Sequence, residues 1–136
     1  MKYVRPNIVI SRCLEFDACR YDGQMINNNY ISLMKDHIDF ITVCPEVEIG
    51  MGIPRDTIHL VEKKGQSMLI QSKTNKDYAL EMVNFSDKYL SKINEIDGFI
   101  LKSRSPSCGI LSTKIYPKTK KILAQLEKVQ DYLHQR

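Results

Sequence analysis

Gly98-Phe99-Ile100-Leu101-Lys102 is a short apolar run, and Ser103-Arg104-Ser105-Pro106-Ser107-Cys108-Gly109 follows it with almost nothing that packs in a core. The run suits a buried strand, and the polar, turn-forming stretch suits the loop that leaves it. Open α/β folds gather their ligands at such loops, at the carboxyl ends of strands. Two other runs end the same way. Asn7-Ile8-Val9-Ile10-Ser11-Arg12 leads into Cys13, and Phe40-Ile41-Thr42-Val43 leads into Cys44 and Pro45. The pattern is one of strands that each deliver a cysteine from the carboxyl end.

Working outward, the Ile- and Val-rich stretch Asn7–Ser11 predicts a central parallel strand buried on both faces. Residues 12–23 read as a long loop closed by the turn signal Asp22-Gly23. Asn27, Asn28 and Asn29 offer caps to a short helix over 29–37, and Ile31, Leu33, Met34 and Ile38 form its apolar stripe. The second strand is Asp39–Val43. In residues 44–55 two glycines and two prolines predict a loop with no regular element. Residues 57–61 and 67–70 pair as a hairpin around Lys64-Gly65. The longest helix starts at a Thr74 or Asn75 cap and runs to about Asn94. After Pro117 a lysine-rich helix over 117–136 carries one apolar seam of Ile122, Leu126, Val129 and Leu133.

Helices between apolar strands predict an α/β fold. It is a compact single domain over 1–136 with a mainly parallel sheet flanked by helices. All three cysteine loops then emerge at the carboxyl edge of that sheet, near one another in space although far apart in sequence.

The chain has 136 residues, 43% hydrophobic and 26% charged, enough for one self-sufficient core. No run approaches the roughly 18 uninterrupted apolar residues of a membrane span. Met1-Lys2-Tyr3-Val4-Arg5-Pro6 has no apolar stretch of a signal peptide. The expected location is the cytoplasm, where thiols stay reduced, so the four cysteines are read as free thiols, metal ligands or catalytic groups. The net charge of +4 is mild. Lys114, Lys118, Lys120, Lys121 and Lys128 have a single aromatic among them, Tyr116, so a solvated helix face is favoured over a nucleic-acid footprint.

Spacing leaves the cysteine chemistry open. Structural zinc sites use close Cys-x-x-Cys pairs, and none is present. Scattered thiolates at Cys13, Cys44 and Cys108 suit an iron–sulfur cluster with one iron left open, with Cys19 as a candidate fourth ligand. Buried cysteines acting as small hydrophobes are the competing reading. A thiol nucleophile at Cys108 ranks lower, because no base stands near it in sequence. Ser105 lacks a Gly-x-Ser-x-Gly elbow, and no phosphate-binding glycine motif is present. Glu46 and Glu48, just after Cys44, are candidates for moving protons. His37, at a helix end, and His59, in a strand, read as structural.

Five blocks carry a resemblance: Ser11-Arg12-Cys13-Leu14, Arg20-Tyr21-Asp22-Gly23, Cys44-Pro45-Glu46-Val47, Ile53-Pro54-Arg55, and Leu101-Lys102-x-x-Ser105-Pro106-Ser107-Cys108-Gly109. In this order, across about residues 5 to 110, they are similar to the domain of unknown function 523 family, whose characterised members include thiouracil desulfidases. The resemblance implies a compact α/β domain and a [4Fe-4S] cluster held by Cys13, Cys44 and Cys108, with one iron lacking a protein ligand. It implies a cluster-dependent desulfidase that replaces the sulfur of a thiolated pyrimidine by oxygen and releases sulfide. Glu48 is implied as the proton-transfer group and Ser105 as its partner. Ser11, Glu46, Ser103 and Ser107, within or beside the same blocks, are the implied substrate-binding residues. The expected partners are a small thiolated base and a second copy of the chain through the C-terminal helix, with no membrane. The loop from Cys13 to Arg20 differs from the Cys-Leu-Leu-Gly start of stand-alone desulfidases. It looks like the version in members that carry an additional C-terminal domain. The basic tail keeps a second class in view, a non-catalytic metal- or nucleic-acid-binding module.

Overall fold

The structure is a computed structural model and describes residues 4–109 and 115–117. Strand β1 (Asn7–Ser11) is flanked by β2 (Asp39–Val43) and β5 (Gly98–Ile100), both parallel to it, in the order β2-β1-β5. The register sets Val9 beside Ile41 and Phe99, and Ile10 beside Thr42 and Ile100. The central place of β1 explains its composition: Val9 and Ile10 are both buried.

One face of this sheet carries the main core. Ile10, Leu14 and Ile31 are buried there, with Phe16, Ile26, Met34, Phe40 and Ile100 packed around them. Ile31 comes from α1 (Asn29–Met34), whose start is fixed by Asn28: its Oδ1 accepts from the Ile31 amide at 3.1 Å. Phe16 and Phe40 meet edge to face at 5.4 Å, which fastens the long loop after β1 to β2.

The second sheet is built on a hairpin. Strands β3 (Ile58–Lys63) and β4 (Gln66–Gln71) pair antiparallel. Lys64 and Gly65 both have positive φ, 50° and 75°, as a two-residue turn between right-twisted strands requires. Strand β6 (Ile115–Pro117) joins β3 in parallel, giving the order β4-β3-β6. Ile58, Val61, Leu69 and Ile70 are buried apolar residues of this sheet. His59 Nε2 lies 3.3 Å from Thr57 Oγ1, the polar neighbour expected of a structural histidine.

Four expectations change. Residues 44–55 do contain a helical element, α2 (Pro45–Glu48), because Pro45 opens it with a preset φ. Gly50, at φ 90°, ends that turn. The long helix, α3 (Ala79–Lys92), starts later than Thr74 or Asn75. Asn75 is left-handed at φ 56°, and Tyr78 still donates its amide to Leu69 O at 2.8 Å. The chain thus stays bonded to β4 until Asp77, whose Oδ1 accepts from both Leu69 N and Ala79 N, releases it into α3. Strand β5 stops at Ile100 because Ser11 Oγ, not a ladder carbonyl, takes the Lys102 amide at 2.8 Å. Strand β6 occupies residues 115–117, where no strand was expected, and Pro117 ends it. The rest of the C-terminal helix expected over 117–136, and the dimer contact expected of it, lie outside the described residues.

Candidate functional site

Because β1, β2 and β5 run parallel, their carboxyl ends share one edge. Cys13 follows β1 by two residues, Cys44 follows β2 directly, and Cys108 stands in the loop after β5. All three thiols are free, as is Cys19. They sense one another. Burial pushes the Cys13 thiol up, and thiolate charge on Cys108 and Cys44 pushes it further, against the pull of Arg20 and Lys102. Cys108 is raised by burial and by Cys44, while hydrogen bonds from Ser11, Ser107 and Ser105 oppose the rise. The edge therefore holds three soft donors, ringed by hydroxyls and cations that stabilise their deprotonated forms.

The loop after β5 is folded on Ser105. Its Oγ accepts from Cys108 N at 3.1 Å and Ser107 N at 3.3 Å, and its carbonyl accepts from Gly109 N at 2.8 Å. Ser107 Oγ donates to Cys108 Sγ at 3.9 Å. Ser103 is exposed and offers its carbonyl to Lys102 Nζ. Ser11 is buried and joins β1 to Lys102 and Cys108.

Cys44 caps α2: its carbonyl accepts the Glu48 amide at 3.0 Å. The four-residue spacing is therefore one helical turn, which stacks Glu48 on the side of Cys44. Arg12, the residue before Cys13, reaches across to Glu48 Oε1 at 2.8 Å. Glu46 is differently engaged. Its Oε2 is 3.1 Å from Arg55 Nη2, in an ion pair whose side chains are 14% and 3% exposed, so that both are bound into the protein.

Arg55 was noted in the sequence only as one member of a block. Its guanidinium donates to Cys19 O at 2.9 Å and Gly52 O at 3.0 Å, and approaches Cys44 Sγ at 4.0 Å. Its amide donates to Tyr21 O at 2.9 Å. One buried cation thus joins the loop of Cys13 to the loop of Cys44. The signal for it was an arginine directly after Gly52-Ile53-Pro54, in a loop that also carries the carboxylates Glu46 and Glu48.

Cys19 is fully buried beneath Cys44. Its thiol is pushed up to about 12, by burial first and then by the charge and hydrogen bond of Cys44. That makes it a protonated hydrophobe in the metal-free chain.

A family model described as 2-thiouracil desulfurase matches residues 8–131. The chain belongs to the 2-thiouracil desulfurase family. Among relatives, the uncharacterized protein YbbK of Bacillus subtilis (strain 168) is 29% identical over 109 residues, covering 75% of this chain and 72% of that protein. Among solved structures, the [4Fe-4S]-dependent thiouracil desulfidase TudS superposes with a TM-score of 0.64 at 21% identity, covering 92% of this chain and 99% of that one. The fold is therefore that of TudS, a compact domain around a mainly parallel sheet. Among the described residues no helix is long and apolar enough to cross a membrane.

Proposed function

We propose that this member of the 2-thiouracil desulfurase family is a [4Fe-4S]-dependent desulfidase, acting on a thiolated pyrimidine such as thiouracil. The observation that carries the reading is the meeting of Cys13, Cys44 and Cys108 at one sheet edge, with Glu48 one helical turn from Cys44.

The donor set fits such a cluster. Among the described residues no three His, Cys, Asp or Glu side chains are spaced to share a single metal ion. A four-iron cluster presents a separate iron to each thiolate, so wider spacing suits it, and thiolate donors select it. Two of the three thiols, Cys13 and Cys108, have pKa values raised by burial, a strain that a positively charged iron core relieves, and Arg55 is a buried cation whose Nε has no partner among the described residues. Cys13, Cys44 and Cys108 would hold three irons and leave the fourth without a protein ligand. When bound, the cluster supplies an open Lewis-acidic iron that accepts the departing sulfur.

The chain's own residues handle water and protons. The balance is C=S plus water to C=O plus hydrogen sulfide, with no external electron. Glu48 takes the proton from the attacking water, and Arg12 fixes the direction of its carboxylate. Ser105, held rigid by two backbone amides, orients the base or the water. Ser11 and Ser107 act toward Cys108, and Ser103 stands at the exposed mouth of the loop. Glu46 supports the site through Arg55 rather than meeting the substrate directly.

The test is absorption spectroscopy with iron and sulfide analysis on protein purified without oxygen, followed by a thiouracil assay. A broad visible band, about four irons per chain and sulfide release are expected. A colourless protein that cannot be reconstituted would overturn the reading in favour of a binding module.

A further inference from the structure

The four terminal hydrogens of Arg55 each face an acceptor. An arginine presents its donors in a rigid, permanently charged fork. Nη1 donates to Cys19 O at 2.9 Å and to Gly52 O at 3.0 Å. Nη2 donates to Glu46 Oε2 at 3.1 Å, which leaves its second hydrogen for Cys44 Sγ, 4.0 Å away. Three oxygens thus fix the plane of the fork, and the sulfur takes what remains. The side chain is 3% exposed, so water screens this charge little. Cys108 is met differently: the neutral hydroxyl of Ser107 donates to its Sγ at 3.9 Å.

The Cys19 carbonyl explains why the fork is needed. In the metal-free chain Cys44 Sγ donates to Cys19 O at 3.8 Å, beside Arg55 Nη1. A sulfur that has given its proton up to a metal stops donating there. Arg55 Nη1 still satisfies the carbonyl, and Arg55 Nη2 already stands at the sulfur as a donor. The exchange leaves no buried carbonyl unpaired, which spares the cost of an orphaned polar group. A lysine ammonium can answer Glu46, but it lacks the planar fork that meets two carbonyls, a carboxylate and a sulfur together.

We infer that Arg55 is a positioning residue that acts through Cys44, drawing electron density from its sulfur and so raising the reduction potential of the bound cluster and the acceptor strength of its open iron. This rests on the cluster reading above. Hydrogen bonds to ligand sulfurs and the local net charge are what set such potentials. An added electron, or the negative charge of departing sulfur, is stabilised by the nearby cation. Arg55 itself gains and loses no proton or electron. Glu46 works in the opposite sense, because its carboxylate offsets the guanidinium and occupies one Nη2 hydrogen.

The experiment is a redox titration followed by electron paramagnetic resonance, on anaerobically loaded protein of measured iron and sulfide content. At a fixed potential, Arg55→Gln is expected to lower the reduced-to-oxidised ratio about tenfold, a one-electron shift of about 59 mV to lower potential. Arg55→Lys, which keeps the charge, should recover part of that shift. Glu46→Gln is expected to move the potential upward. The opposite signs matter, because a merely loosened fold admits water in both variants and moves both the same way. A potential unmoved in iron-replete Arg55→Gln, or shifts of one sign in Arg55→Gln and Glu46→Gln, overturns this inference alone. Where Arg55→Gln does not hold iron, Glu46→Gln decides: an unmoved or lowered potential overturns the inference. A parent that cannot be loaded with iron and sulfide overturns the cluster reading and this inference with it.

Discussion

Arg12 Nη2 lies 2.8 Å from Glu48 Oε1, so the residue before one strand-end cysteine holds the residue one helical turn after another. The pair is partly exposed, with side chains 23% and 42% accessible. Its worth to stability is about 1 kcal/mol or less. On the proposed reading it orients the Glu48 carboxylate. Glu48→Gln is expected to keep full iron content and to lower kcat by about 10² to 10⁴-fold, read by sulfide release under anaerobic conditions. Unchanged turnover would remove Glu48 from the proton-transfer role.

Arg55 makes the opposite kind of pair. Its ion pair with Glu46 is almost wholly out of water. Arg55→Ala leaves a buried carboxylate alone and opens two loops at once, so a loss of about 3–5 kcal/mol is expected in denaturant titration. Arg12→Ala serves as the control and should cost no more than about 1 kcal/mol. Equal losses in the two variants would contradict this division.

Cysteine replacements separate ligands from packing. Cys13→Ser, Cys44→Ser and Cys108→Ser are each expected to lose most of the iron, whereas Cys19→Ser is expected to retain it. Iron and sulfide content after anaerobic reconstitution is the measurement. Iron loss from Cys19→Ser as complete as from Cys44→Ser would mean four protein ligands and no open iron.

The metal-free chain should be alkali-sensitive. Cys13, Cys19 and Cys108 all have folded-state pKa values above the ordinary thiol value of 9.0, Cys19 at about 12. The neutral thiol is favoured in the fold, so this contribution is full below pH 9 and is lost as pH rises toward 12. Unfolding midpoints measured from pH 8 to 11 should fall, and Cys19→Ala should fall less steeply than the parent.

Much of the fold was legible because period and punctuation agreed. β1 and β2 show their full lengths in the sequence, since central parallel strands leave Ile and Val runs. The carboxyl-edge placement of three cysteines followed from that parallel order. Local chemistry outvoted pattern elsewhere. Cys44-Pro45-Glu46 is a helix start with proline in the first turn and acids behind it, yet Gly50 and Gly52 made the whole stretch read as loop. Thr74 and Asn75 are good caps in isolation, but pairing with β4 used the backbone first. Strand β6 is only three residues long and joins a hairpin far back in the chain, a contact with no local trace. The role of Arg55 was legible only as a loop arginine, because its meaning lies in the carbonyls, thiol and carboxylate that other residues bring to it.

Strand β1 is hydrogen-bonded on both sides, to β2 and to β5. Its last residue, Ser11, and the two that follow it, Arg12 and Cys13, address three different neighbours, the Lys102 amide, Glu48 and the other thiols. A slip of one residue against either flanking strand would invert every side chain and scatter all three. An assembly intermediate with only one neighbour strand in place brings two cysteines together and leaves the third adrift. On the proposed reading, a cofactor held by Cys13, Cys44 and Cys108 would be accepted only by a chain whose third parallel strand has docked, and its colour would double as a proofreading mark for correct sheet registration.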